Sequence, residues 1–321
     1  TTSPERLKVG ELLDAQDVDL DNSGKLLTRR GFSRVSTTPL HSLYSNDFIA
    51  VAATATDLVA IESDNTLTVL APLTSPLPVS YETVVDTVFW SNGVDSGRLV
   101  GRSALAWGVT PPVSQPVALE VIGGLPPGRY RYAVTFLRAD GHESGTGLSG
   151  QIDITQGGIA FSGIAVSASS EVTDKVLYVT ATNGEVLYRV AIIPNAQTLY
   201  VYSSGGMDTM IPLTTQFATN APAGSLVREF AGVMYVVVEG VVYHSDAYGY
   251  ELFRPDTNFL QFPGRVAMFE PMTDGIYVGT TDIGGDDVES RGMTAFLKGS
   301  RPDKFDAMQL YDYGVIENTA I

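Results

Sequence analysis

The residues best placed by type and spacing to do chemistry are Asp17, Asp19 and Asp21, in the stretch Asp17-Val18-Asp19-Leu20-Asp21-Asn22-Ser23-Gly24. Carboxylates at positions 1, 3 and 5 open a calcium loop, but such a loop also needs Gly at position 6 and a bidentate Glu at position 12. Here those positions hold Asn22 and Thr28. Strict alternation of acidic and apolar residues instead fits a β-strand, whose successive side chains point to opposite faces. Followed by an Asn-Ser-Gly turn and the basic run Lys25–Arg30, it predicts an opening hairpin with one wet and one buried face. The three aspartates then form an acidic strand face. A second acidic run, Asp282–Glu289, lacks ligand spacing and reads as a solvated loop.

Other chemistries find little purchase. The histidines, His41, His142 and His244, are far apart and outside any His-x-x-x-His or His-Glu pattern, which argues against a zinc hydrolase. No Gly-x-Ser-x-Gly elbow is present. Gly145-Thr-Gly-Leu-Ser-Gly150 looks like a phosphate loop but lacks its Lys, and reads as a plain loop. The absence of cysteine removes disulfides, thiolate metal sites and thiol nucleophiles. The chain therefore reads as no enzyme, with no cofactor and no resident metal. Its aromatics are the normal filling of β-protein cores and contacts. Tyr248, Tyr250 and Phe253, in Tyr248-Gly-Tyr-Glu-Leu-Phe-Arg-Pro255, are the candidate interface aromatics, serving blade packing or a subunit interface ahead of a ligand platform, because contact surfaces favour Tyr, Phe and Arg.

The elements that must carry these residues are strands. The 321 residues are 44% hydrophobic and 17% charged, enough apolar matter for a sizeable core. Short runs rich in β-branched and aromatic residues, such as Val233–Val238 and Ile276–Thr280, alternate with Gly, Asn and Asp turns, which predicts an all-β chain. Only Pro4–Gln16 offers a turn or two of helix. Hairpin-like units recur around 48–62, 233–244 and 268–280, and hairpins gathered radially into four-stranded blades make a propeller. The middle differs. Pro126-Pro-Gly-Arg-Tyr-Arg-Tyr132 and an Asn183-Gly184 turn between alternating runs predict about seven strands in about ninety residues, an immunoglobulin- or fibronectin-like β-sandwich. Flanked by Pro111–Pro116 and Ser203–Gly206, it divides the chain into a propeller part over 1–115, a sandwich insertion over 116–204 and a second propeller part over 205–321. No apolar run is long enough to cross a bilayer and no signal-like segment opens the chain; its first residue, Thr1, reads as the product of initiator-Met removal.

Thirty-six acidic against 20 basic residues give a net charge of −16, which opposes any grip on nucleic acid through phosphates. It suits solubility, and equally a channel wall from which DNA is repelled.

The phrase Asp17–Phe32 resembles the opening of the β-propeller nozzle, hub or tail-tubular proteins of short-tailed bacteriophages, in which an acidic strand, a Gly, a basic residue with Leu, a basic pair and Gly-Phe introduce the first blade. Val242–Phe253 resembles a blade phrase of that family. Tyr311–Ala320 resembles its "Tyr-Gly-Ala-Ile-Pro-Gly-Thr" phrase, with Glu317-Asn318 where the family has Pro-Gly. The resemblance implies a structural virion protein of the tail. Six copies would form a ring below the portal and its adaptor, extend the DNA channel and offer a place for tail fibres. DNA would pass without specific binding, no membrane would be entered, and Asp17, Asp19 and Asp21 would be candidates for the acidic lumen face. The competing reading is a glycan- or protein-binding propeller or sandwich that uses Tyr248 and Tyr250.

Overall fold

The structure is a computed structural model that describes residues 18–20, 25–28, 34, 36–204, 208–281 and 292–315. It divides into two units, 1–39 and 40–321. In the first, strands β1 (Val18–Leu20) and β2 (Leu26–Thr28) pair antiparallel, with Val18 opposite Thr28 and Leu20 opposite Leu26. The expected opening hairpin is therefore present. Asp17, Asp21, the side chain of Asp19, the segment Pro4–Gln16 and the acidic run Asp282–Glu289 lie outside the described residues.

The second unit is built of antiparallel sheets. Strands β3 (His41–Ser45), β4 (Ala50–Ala53), β5 (Asp57–Ile61) and β6 (Leu67–Pro72) form a four-stranded meander. Strands β7 (Ser80–Val84), β8 (Thr87–Ser91), β9 (Ser96–Val100) and β10 (Ser103–Leu105) form a second. The chain then leaves for a sandwich. β11 (Val117–Ile122), β14 (Gly157–Ser162) and β17 (Leu199–Tyr202) make one sheet, in the order β11-β14-β17. The other runs β13-β12-β15-β16-β18, from β12 (Gly128–Arg138), β13 (Gly150–Ile154), β15 (Val172–Thr180), β16 (Leu187–Pro194) and β18 (Asp208–Pro212). A third meander follows, of β19 (Leu226–Phe230), β20 (Val233–Val238), β21 (Val241–Asp246) and β22 (Gly249–Phe253), with β23 (Phe259–Gln261) also paired to β21. The fourth consists of β24 (Val266–Met272), β25 (Gly275–Thr280), β26 (Thr294–Lys298) and β27 (Asp306–Tyr311). A single 3-10 turn, Pro302–Lys304, is the helical element among the described residues. The hairpins expected around 48–62, 233–244 and 268–280 are β4–β5, β20–β21 and β24–β25, each inside its own meander.

Side-chain alternation explains how the meanders stack. On β20, Tyr235 and Val237 point to one side, where they meet Phe269, Ile276 and Val278 of the fourth sheet. Met234 and Val236 point to the other, where they meet Phe89 of the second sheet and Trp107. A strand buried on both faces reads as an unbroken apolar run, which is what Val233–Val238 is. Val51, Leu58 and Ala60 of the first sheet likewise share a core with Val88, Trp90 and Leu99 of the second. Four four-stranded sheets packed face to face in chain order are blades, so the chain is all-β and propeller-like.

The sandwich closes over its own core. Tyr130, Tyr132, Leu177 and Val179 of the larger sheet face Ile159, Phe161 and Tyr202 of the smaller, with the Tyr132 and Phe161 rings edge to face at 5.1 Å. It contains eight strands, and β18 carries it past the expected limit at 204. Its immunoglobulin-like kinship remains an inference from the Pro126–Tyr132 phrase that leads into β12. Lys175 of β15 lies inside the sandwich at 0% exposure, its ammonium donating to the Ala165 carbonyl at 2.7 Å and facing that of Ile164 at 3.5 Å. Desolvation pulls its pKa down to about 8. Between about pH 8 and the unfolded value of 10.5 the unfolded chain binds the proton that the folded one has released, so the burial penalty grows as pH falls through this window. Below it the penalty is constant at about 3 kcal/mol. Allowing for the two carbonyls left behind, Lys175→Met is expected to gain about 1–2 kcal/mol at pH 7. Urea unfolding should show the advantage shrinking from pH 8 to 10.5; a pH-independent difference, or a loss at pH 7, would refute this account of Lys175.

The glycine loop 145–150 is a strap, not a phosphate cradle. A Cβ on Gly145 would fall on the Ala218 carbonyl oxygen, and one on Gly147 on that of Pro112. Thr215 Oγ1 donates to the Ser144 carbonyl at 2.7 Å. The loop is thus pressed against both chain segments that join the sandwich to the meanders.

Candidate functional site

Alternate turns of a meander emerge at the same end of a sheet, which gathers side chains distant in sequence. The β7–β8 turn (Val85, Asp86), the β19–β20 turn (Ala231, Gly232), the β21–β22 turn (Ala247, Tyr248) and the β26–β27 connection border two clefts. The larger, of about 770 Å³, is lined by His244, Asp246, Tyr248, Asn258, Arg301 and Asp303 among others. The smaller, of about 240 Å³, is lined by Val85, Thr87, His142, Tyr248, Tyr250 and Glu251 among others. Tyr248 belongs to both.

In the larger cleft Asp246 is already held. Arg254 donates to it through Nη2 at 2.8 Å and Nε at 3.1 Å, and Asn258 Nδ2 at 3.2 Å. His244 Nδ1 lies 3.1 Å from the Ser245 carbonyl, which can only accept, so Nδ1 carries the proton and Nε2 is an acceptor. Burial lowers the His244 pKa and keeps the ring neutral at pH 7. Arg301 and Asp303 pair through two contacts of 3.0 Å on the exposed rim.

Behind the smaller cleft lies a buried ion cluster. Arg138, at the end of β12, is 6% exposed and grips Glu251 of β22 through Nη1 at 2.7 Å and Nη2 at 3.2 Å. Arg98 of β9 approaches the same carboxylate at 3.3 Å, bonds to Glu171 and donates to the Ala106 carbonyl at 3.2 Å. Asp140 receives Arg138 Nε at 3.1 Å and also bonds to its Nη2. Two guanidinium groups and three carboxylates thereby tie the second sheet, the sandwich and the third sheet together. Desolvation works against the charge on Arg138, but the bonds to Asp140 and Glu251 outweigh it and raise its pKa. The Arg138 bond holds Asp140 down to about 2. His142 is lowered by desolvation, and its Nε2 is buried with no hydrogen-bond partner.

The expected aromatics separate in space. Tyr248 is 79% exposed. Tyr250 is half-buried beside Phe89 at 6.5 Å, and its carbonyl accepts from Trp107 Nε1 at 2.9 Å. Phe253 corrects the subunit-interface half of its reading and takes the blade-packing half: it is fully buried, edge-on to Trp107 at 6.0 Å, and cannot serve an outer interface. His142 and His244 line neighbouring clefts, while His41 sits in the first sheet with Nδ1 2.9 Å from Ser42 Oγ. No local signal marks Arg98, Arg138, Glu171 and Glu251 as a group, because these pairs span 73 and 113 residues. No group of three or more His, Cys, Asp or Glu side chains poised for a metal occurs among the described residues, and no helix among them is long and apolar enough to cross a membrane.

Neither known protein families nor curated proteins match this chain. Among solved structures it is similar to the Neurospora crassa Pan2 WD40 domain, at 9% identity, 84% of this chain, 65% of that one and a TM-score of 0.31. It is also similar to Saccharomyces cerevisiae Sqt1 (9% identity, 87% of each chain, TM-score 0.20) and to the phage phi92 endosialidase (12%, 88% and 59%, TM-score 0.23). The chain thus spans about two thirds of the Pan2 domain's length and 59% of the endosialidase's. At these scores the propeller-like assignment stands on the chain's own stacked sheets.

Proposed function

We propose that this chain is a structural subunit of a short-tailed phage tail, of the nozzle or hub type, whose copies assemble into a ring that continues the DNA channel beneath portal and adaptor. The observation that carries the reading is the outer face of the fourth sheet. Tyr277, Phe296 and Met308 stand opposite one another across β25, β26 and β27, with the Tyr277 and Phe296 rings 4.7 Å apart. By the same register Met272 and Tyr311 share that face, and both are exposed along with Tyr277 and Met308. The inner faces of the stack are covered by neighbouring sheets, whereas this row of Met and Tyr is left to solvent. Contiguous exposed apolar surface marks a contact site, and a head-to-tail contact whose rotation closes generates a ring. Of the resemblance phrases, Val242–Phe253 falls on the β21–β22 hairpin, and the other starts at Tyr311, the last residue of β27. A net charge of −16 is compatible with a channel along which DNA moves without sticking.

Sedimentation velocity tests the reading. Wild-type protein is expected to form a closed oligomer as concentration rises, and Met308→Lys, at an exposed position, to stay monomeric with an unchanged melting temperature. An oligomer indifferent to Met308→Lys would remove the fourth sheet from the contact.

A further inference from the structure

We propose that the two clefts flanking Tyr248 form one binding site for a neutral saccharide chain, with the Tyr248 ring as the platform between two subsites.

Two hairpin tips here carry side chains that folding alone does not favour. Tyr248 sits at φ 57°, and Val85, 82% exposed, at φ 54°. Left-handed backbone suits Gly or Asn, and is a marked outlier for a β-branched or bulky residue. Strained bulky residues that are also largely exposed point to a contact with something outside the chain. The Tyr248 ring lies over Gly232, where an added Cβ would come 2.6 Å from its Cε1, and its backbone N donates to the Gly232 carbonyl at 2.6 Å. A pre-positioned ring loses little freedom when a ligand stacks on it.

The polar groups on either side select the ligand. At the smaller cleft Thr87 and Tyr250 bring hydroxyl-bearing side chains to the wall, while His142 Nε2 is buried beneath it without a partner. On the other side, His244 Nε2 offers a lone pair and Asn258 an amide. A flat apolar ring with hydrogen-bonding groups on both sides fits a sugar, which presents an apolar face and a hydroxyl edge. The cation on the cleft walls, Arg301, is committed to Asp303, and the protein carries −16, so an anionic sugar would find no counter-charge. A peptide would add along a free strand edge or fill a deep apolar groove; the edge strand β22 does line the smaller cleft, but its Tyr250 carbonyl is taken by Trp107 Nε1 and its Phe253 backbone is paired with Thr219.

Saturation-transfer NMR on the full chain, with neutral oligosaccharides of glucose, mannose, galactose, N-acetylglucosamine and rhamnose as probes, tests this. At least one is expected to bind saturably, and Tyr248→Gly to weaken it by roughly tenfold or more. Because Gly accepts φ 57° without strain, that variant is expected to melt no lower than wild type, which separates lost binding from lost folding. Binding unchanged in Tyr248→Gly, no transfer from any probe at about 10 mM, exclusive binding of sialylated probes, or selection of a peptide ligand lost in Tyr248→Gly would each overturn the proposal.

Discussion

Arg138→Met is expected to destabilise the protein by about 3–5 kcal/mol, because it leaves a buried carboxylate without its principal partner. Glu251 would keep only the 3.3 Å contact to Arg98, whose other bonds go to Glu171 and the Ala106 carbonyl. The loss falls at the joint between separately cored bodies: the sandwich closes around Tyr132 and Phe161, the meanders around Trp107, Tyr235 and Phe269. Calorimetry is therefore expected to resolve two unfolding transitions in the variant and one in the wild type. Arg138→Met combined with Glu251→Leu, which removes both charges, is expected to recover most of the loss. The bond to Arg138 also gives Asp140 a pH signature. With its folded pKa depressed to about 2 from 3.8, its contribution is present above about pH 4 and disappears as pH falls through 2; Arg138→Met removes that dependence. A single transition with a loss below about 1 kcal/mol, the size of a surface ion pair, would mean the cluster is ornamental.

Gly145→Ala is expected to cost about 3 kcal/mol, at the upper end for overpacking, because the new methyl meets backbone rather than a side chain that can swing away. The Ala218 carbonyl it would strike belongs to the segment returning from the sandwich, and the Pro112 carbonyl above Gly147 to the segment leading into it. Gly124→Ala is the control: its methyl would have 3.7 Å to the nearest atom, the Ser203 carbonyl oxygen, and should leave stability nearly unchanged. Equal denaturation midpoints for the two variants would show that the strap yields.

How much of this was legible depended on the range of the interactions. Alternation and turn residues located β4, β5, β20, β21 and β25, and Asn183-Gly184 marked a real turn, with Asn183 at φ 56° and its Oδ1 accepting from Arg129 N at 3.0 Å. These are local signals. For Phe253 the choice between blade packing and an outer interface could not be made locally, because its burial depends on Trp107, placed over it by a chain that departs for the whole sandwich in between. The strand β18 escaped notice because Ser203-Ser-Gly-Gly206 reads as a linker that ends the sandwich; pairing with β16 makes Asp208–Pro212 a strand. Val85, and the left-handed backbone of Tyr248, were hidden for the opposite reason, since sequence logic puts Gly or Asn at left-handed positions. The ion cluster draws charges from four places, and no spacing rule could assemble it.

The ring is the central claim, and imaging tests it most directly. Purified protein would be examined by native mass spectrometry and negative-stain microscopy across a concentration series. The account expects one closed oligomer, of six copies, with an open channel along its axis. A monomer at every concentration up to the solubility limit would contradict it, and would leave the clefts beside Tyr248 as the better guide to what this protein does.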